Sequence, residues 1–148
     1  MRLEDAARQI YALVCYWGGH GKVLPVSLEA IRRSLSDGNG LFIEVDEKVV
    51  SYVAVYESAR YLKIGTVVVD PCFRRKGYGE QAVRGAIDPA RKRSRKPIVA
   101  IANGNSSPIF QKLGFTERPK EDADEELRGG RTQEEWLSCN RKFFQLDG

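Results

Sequence analysis

Val67-Val68-Val69-Asp70-Pro71-Cys72-Phe73-Arg74-Arg75-Lys76-Gly77-Tyr78-Gly79 runs from an apolar strand through a basic, glycine-containing turn into the start of a helix. Glycines let successive backbone N–H groups point at one anion without interference from a Cβ, and a helix N-terminus adds about half a positive charge. A phosphate group is the natural guest of such a turn. Neither G-x-G-x-x-G nor G-x-x-x-x-G-K-[ST] is present, which argues against a dinucleotide fold and a nucleoside-triphosphate loop. Taken alone, the stretch reads more readily as a plain strand-to-helix turn with solvated arginines.

Upstream, the third strand of the chain begins at Leu62, and Gly65 marks a local irregularity within it. Before it, Leu41–Val45 and Val49–Tyr56 are rich in β-branched and aromatic residues around the turn Asp46-Glu47-Lys48, which predicts a hairpin. Earlier still, Ile10, Leu13, Val14 and Trp17 recur at helical spacing and predict an amphipathic helix over 5–17. Ser27 caps a second helix bearing Leu28, Ile31 and Leu35 and ending at Asp37-Gly38-Asn39-Gly40; a glycine-rich loop that includes His20 joins the two.

Downstream, Ala82, Val83, Ala86 and Ile87 share one helix face, and Pro89 is expected to kink or break that helix. Ile98–Ala102 predicts a short buried strand, Ser107–Leu113 a brief helix ended by Gly114, and Phe115 the start of another extended piece. Residues 117–135 hold eight acidic and four basic side chains with Gly129-Gly130, and predict a charged mobile loop. Trp136–Leu146 supplies a last strand. The order of elements gives a mixed α/β layer fold, and 148 residues make residues 1–148 a single domain.

Composition narrows the function classes. With 42% hydrophobic and 30% charged residues the chain is an ordinary globular one, and no apolar stretch is long enough to span a membrane. The first residues carry acidic groups where a signal peptide needs an apolar run, and the three cysteines, Cys15, Cys72 and Cys139, form no CxxC pair. A reducing, cytoplasmic setting is therefore expected. A single histidine excludes a metal site that needs two imidazoles. Residues 74–96 hold nine Lys/Arg against Glu80 and Asp88. Such a patch serves nucleic acid, an anionic surface or a phosphorylated small molecule, and the lack of interleaved aromatics argues against nucleic acid.

Arg74-x-x-Gly77-x-Gly79 resembles the Arg/Gln-x-x-Gly-x-Gly/Ala pyrophosphate loop of the GNAT superfamily of acyl-CoA N-acyltransferases. Asn103 to Phe115, with its closing Leu113-Gly114-Phe115, resembles the second motif of that family. The likeness covers about residues 4–118. It implies a mostly antiparallel mixed sheet flanked by helices, with acetyl-CoA as cosubstrate in a V-shaped opening between strands 62–69 and 98–102. By resemblance, the main chain of Val67, Val68 and Val69 pairs with the pantetheine arm. The amides of Arg74, Arg75, Lys76, Gly77, Tyr78, Gly79 and Glu80 hold the pyrophosphate, and Asn103 contacts the cofactor arm. Ala12-Leu13-Val14 followed by Gly21–Leu28 is similar to the N-acetylglutamate synthase type of GNAT domain, with Val26 in place of that branch's arginine.

Three departures from the family pattern matter. At most Met1–Leu3 stands where members have a first strand, so that strand is missing or vestigial, and the sheet edge it would cover invites a second copy of the chain. Lys63 occupies the usual position of a strand glutamate that serves as base, and Phe110 that of the tyrosine acid. The resemblance thus implies an N-acetyltransferase acting on a small-molecule amine or amino acid by direct attack, with no residue assigned as acid or base. The alternatives are an acyl-CoA-binding or regulatory domain without turnover and, more weakly, a nucleic-acid-binding protein. Glu44, Tyr56 and Glu57 are candidate neighbours of the acceptor.

Overall fold

The computed structural model describes residues 1–20, 26–104 and 106–146. Two helices, α1 (Leu3–Gly19) and α2 (Leu28–Asp37), come first. They are followed by β1 (Gly40–Val45), β2 (Lys48–Glu57), β3 (Leu62–Val69), α3 (Tyr78–Arg93), β4 (Ile98–Ala102) and α4 (Ser107–Lys112). The chain closes with β5 (Phe115–Arg118), α5 (Gln133–Ser138) and β6 (Lys142–Leu146). Six strands form one sheet in the order β1-β2-β3-β4-β6-β5, antiparallel throughout except for the parallel pair β3 and β4. No strand precedes α1 among the described residues, and β1 is a sheet edge.

Local chemistry sets the element ends. Ser27 accepts the Ala30 N–H at 3.0 Å, and Gly38 at φ +78° closes α2 in the left-handed region that glycine adopts without cost. Asp46 and Glu47 both take positive φ in the tight turn that pairs Val45 with Lys48. Residues 21–25, most of the predicted glycine-rich loop, lie outside the described residues; His20 is the last residue before them, at the end of α1, with Nδ1 2.7 Å from the Tyr16 carbonyl oxygen.

Three apolar clusters hold the sheet. On one face α3 and α4 pack Ala82, Val83, Ile87 and Phe110 over Val53, Leu62, Ile64, Ala100 and Phe144. On the other, α1 and α2 pack Ile10, Val14 and Ile31 over Val49, Tyr52 and Val68. Beside that second cluster a third gathers Tyr61, Val99, Ala123, Leu127, Trp136 and Phe143.

The third cluster bears on two expectations. Residues 117–135, the expected charged loop, hold the end of β5 and a 3₁₀ turn at Lys120–Asp122, and they bury Ala123 and Leu127. Two apolar anchors four residues apart suffice to pin a segment whose charges stay in water. Trp136 lies in α5 and not in the last strand, because Thr132 and Glu135 form a reciprocal capping box that starts a helix there. A third difference concerns Pro89, which sits inside an unbroken α3. Ala82, Val83, Ala86, Ile87 and Ala90 are buried on both sides of it, so packing against the sheet outweighs the one lost backbone bond.

The strand irregularity falls one residue beyond Gly65. Tyr52 pairs with Val68 but Ala54 pairs with Gly65, so β3 carries an extra residue, and Thr66 takes φ +50°. One inserted residue exchanges the two faces of a strand. Accordingly Leu62 and Ile64 face α3, whereas Val68 faces α1 and α2. The parallel ladder between β3 and β4 comprises only Leu62–Ile98, Lys63–Val99 and Ile64–Ala100, and beyond these pairs the strands part.

Candidate functional site

Two cavities open where β3 and β4 separate. The first, about 390 Å³, is lined by Val67, Val68 and Val69 on β3, Arg74 and Arg75 on the turn, Gly77, Tyr78, Gly79 and Glu80 at the start of α3, and Asn103 after β4. Ten of the eleven residues singled out from sequence thus share one concave surface. The eleventh, Lys76, is not part of the lining: its ammonium lies 5.3 Å from the centroid of the Phe73 ring.

The turn is braced from several sides. The Asp70 carboxylate accepts the Cys72 N–H at 2.8 Å and pairs with the Lys48 ammonium at 3.3 Å. The buried Ser51 hydroxyl donates to the Tyr78 carbonyl at 2.9 Å and ties the start of α3 to β2. Gly77 at φ +82° delivers the chain into α3, and no side chain caps that helix. Its first N–H groups, which no intrahelical carbonyl satisfies, belong to cavity-lining residues. Gly79 also leaves room at the helix start: a Cβ there would crowd Ile109 Cδ1 at 3.0 Å and Val69 Cγ2 at 3.1 Å. The carboxylate of Glu80 pairs with Arg84 at 3.3 Å and with Lys112 at 3.7 Å.

Sequence reasoning missed Trp17 and Lys112 in this lining. Trp17 reads as a packing residue of an amphipathic helix, yet its indole N–H donates to the Val69 carbonyl at 2.8 Å, and the Arg74 guanidinium lies 5.5 Å from its ring centroid. The signal available was its place in the last turn of α1, just past the buried stripe. Asn103 behaves partly as a structural residue: its Oδ1 accepts the Ser106 N–H at 3.0 Å and its carbonyl accepts the Ser107 hydroxyl at 2.7 Å, which organises the turn into α4.

The second cavity, about 420 Å³, meets the first at Val67, Asn103 and Ser106. It lies between the start of α2 and the 127–141 segment, and its lining includes Lys63, Arg131 and Arg141 with no acidic side chain among the described residues. Burial pushes the Lys63 ammonium below its ordinary pKa, partly offset by the charge of Glu126. Burial likewise depresses Arg141, and the Arg131 charge adds to the effect. Three cations converging in partly desolvated space favour an anionic occupant. Of the suggested acceptor neighbours, Tyr56 lines this cavity and hydrogen-bonds Thr66 at the bulge at 2.6 Å. Glu57 pairs instead with Lys96 at 2.8 Å, and Glu44 lies on the edge strand, outside either lining. Phe110, buried between Phe115 and Phe144, closes the floor without an ionisable proton.

A profile of the acetyltransferase (GNAT) domain matches residues 22–129. The chain belongs to the GNAT acetyltransferase family. An uncharacterised N-acetyltransferase of Methanocaldococcus jannaschii is 32% identical over 93 residues, 55% of this chain and 41% of that protein. The chain spans about half the length of the sequence relatives it matches, or less. Among solved structures, N-acetylglutamate synthase from Neisseria gonorrhoeae, complexed with coenzyme A and N-acetylglutamate, superposes with a TM-score of 0.75 at 22% identity. The superposition covers 94% of this GNAT domain and 32% of the synthase chain. A Mycobacterium tuberculosis protein solved with CoA gives the same TM-score of 0.75 at 21% identity, over 98% of this chain and 95% of that one. At these identities the likeness is one of fold. No helix among the described residues of the GNAT domain is long and apolar enough to cross a membrane.

Proposed function

We propose that this GNAT domain is an acetyl-CoA-dependent N-acetyltransferase whose acceptor is a small amine bearing a carboxylate, an amino acid being the simplest such molecule. The observation that carries the reading is the junction at Val67, Asn103 and Ser106 of a cavity built around an uncapped helix start and a second cavity lined by cations. In this reading the pyrophosphate sits against the first N–H groups of α3 with Arg74 and Arg75, and the pantetheine arm extends along the open edge of β3 at Val67–Val69. The thioester then lies at the junction, within reach of an amine whose carboxylate is held by Lys63, Arg131 or Arg141.

The acceptor must first lose a proton to become a neutral amine. Its nitrogen lone pair then attacks the thioester carbonyl carbon, a C–N bond forms, the C–S bond breaks, and CoA leaves as a thiol that takes up the second amine proton. Main-chain N–H groups near Val68 and Val69 polarise the carbonyl. With Phe110 and Lys63 in the positions noted above, positioning carries most of the rate enhancement, a contribution of ~7 kcal/mol or more against the 10²- to 10⁴-fold of a general acid or base. The crystallised Neisseria synthase holds coenzyme A and an acylated amino acid, which supports the assignment.

Thiol release from acetyl-CoA across a panel of amines tests the reading. Amino acids are expected to turn over faster than polyamines, which the cationic cavity repels. Tight CoA binding with no thiol release from any acceptor would instead favour a binding domain without turnover.

A further inference from the structure

We propose that Trp17 is a positioning residue of the cofactor site, fixing the carbonyl end of β3 with its indole N–H and the Arg74 guanidinium with its ring face. The inference rests on the assignment of the first cavity to the cofactor.

Beyond Ile64 the edge of β3 is no longer paired with β4, so its N–H and C=O groups on that side are open to an added extended segment. Trp17 reaches across from α1 and donates to the carbonyl of Val69, the last residue of the strand. The recognition edge is thereby closed at its far end, and an arm laid along β3 meets the outward groups of Val67 before it reaches a carbonyl that is already occupied. The same indole lines the cavity, so its ring bounds the space into which the arm turns.

The ring face does a second job. Arg74 is exposed, and its neighbour Arg75 holds the left-handed backbone conformation at φ +63°. A long side chain at such a turn loses much rotamer freedom when it engages a ligand. With its guanidinium 5.5 Å from the Trp17 centroid, Arg74 is held over the mouth of the cavity before any anion arrives, which removes part of that loss in advance. Tyr16 packs edge-on against Trp17 at 5.0 Å and His20 lies at 6.1 Å, so the indole is itself fixed from behind. A tryptophan serving the core alone would need neither the contact to the strand end nor the arginine on its face.

Two variants separate the roles. Trp17→Phe loses the N–H donor but keeps an aromatic face, and Trp17→Leu loses both while keeping an apolar side chain of useful size. Calorimetric titration of the full chain with CoA is expected to show a few-fold loss of affinity for Trp17→Phe and roughly tenfold for Trp17→Leu, the scale of one partly desolvated cation–π contact plus a hydrogen bond. Arg74→Ala closes the cycle. Its effect should add in full to that of Trp17→Phe but fall short of additivity with Trp17→Leu, because the leucine has already released the arginine. A merely structural role would lower the melting temperature and leave both cycles additive. The inference is overturned if the wild type binds CoA and Trp17→Leu binds it equally well, or if the Trp17→Leu and Arg74→Ala effects sum completely. Should Trp17→Leu not fold, Trp17→Phe decides alone: unchanged affinity overturns the assignment. A wild type that does not bind CoA overturns the cofactor reading itself, and this inference with it.

Discussion

Lys63 shows how one side chain sets stability against recognition. Its ammonium is partly withdrawn from water in a cavity it shares with Arg131 and Arg141, with the Tyr56 ring 5.7 Å away, and burial lowers its pKa. A lysine whose folded pKa is depressed binds fewer protons folded than unfolded over the interval between the two values. Stability therefore rises with pH across that interval, and the cost of the charge is fully present below it. Lys63→Met should raise the melting temperature by a few degrees at pH 7. The advantage should shrink toward pH ~10, where the unfolded lysine also loses its proton. Urea melts at the two pH values measure this, and an equal gap at both would contradict it. The same variant should raise KM for a carboxylate-bearing acceptor roughly tenfold, the loss of one charge-assisted contact.

Strands, helices and turns explain what could be read in advance and what could not. The turn from Val67 to Gly79 was legible because a basic stretch with two glycines between an apolar strand and a helix start is a local pattern. Arg131 and Arg141 were not, since each is one charge among many in segments anchored by a few scattered apolar residues such as Leu127, Trp136 and Phe143. Their convergence on Lys63 is a product of tertiary packing that spacing along the chain does not encode. The bulge at Thr66 was foreshadowed one residue away by Gly65, but which residue carries the positive φ depends on the pairing register with β2. α5 offers a test of how the C-terminal segment serves the site. Thr132 caps it at 3.1 Å from the Glu135 N–H, immediately after Arg131, while Trp136 is buried and donates to the Lys120 carbonyl at 2.7 Å. Thr132→Ala should cost ~1 kcal/mol of stability and speed amide exchange over 120–138. Acceptor KM should rise while CoA affinity holds, because the cap lies on the side of the second cavity only. A matching loss of CoA affinity would show that the two cavities are not separable in this way.

At the scale of the whole molecule, the cleft opens within one sheet whose two halves share the α3 core on one face and rest on different clusters on the other. β3 and β4 both pack under α3, through Leu62 and Ile64 and through Ile98, Ala100 and Ala102; on the opposite face Val68 of β3 joins the α1–α2 cluster, whereas Val99 of β4 joins the cluster around Trp136. A ligand seated on Val67–Val69, the turn and Asn103 bridges the two sides, so it should stabilise the native state and not the unfolded chain. At a CoA concentration 100 times Kd the gain is ~2.7 kcal/mol, which for a chain of this size means a rise in melting temperature of roughly 5–10 °C. Arg75→Glu is the variant that isolates the electrostatic part. Arg75 already holds φ +63°, and a glutamate bears about the same backbone penalty there, so the unliganded melting temperature should barely change. In the proposed reading the reversed charge then faces the pyrophosphate across the same cavity, and the CoA-induced rise should largely vanish. Added salt should diminish the wild-type rise by screening the exposed Arg74 and Arg75, while leaving the contribution of the α3 N–H groups. If the wild type shows no rise, or if Arg75→Glu keeps it in full, the turn from Val67 to Gly79 is a structural connection and the phosphate lies elsewhere.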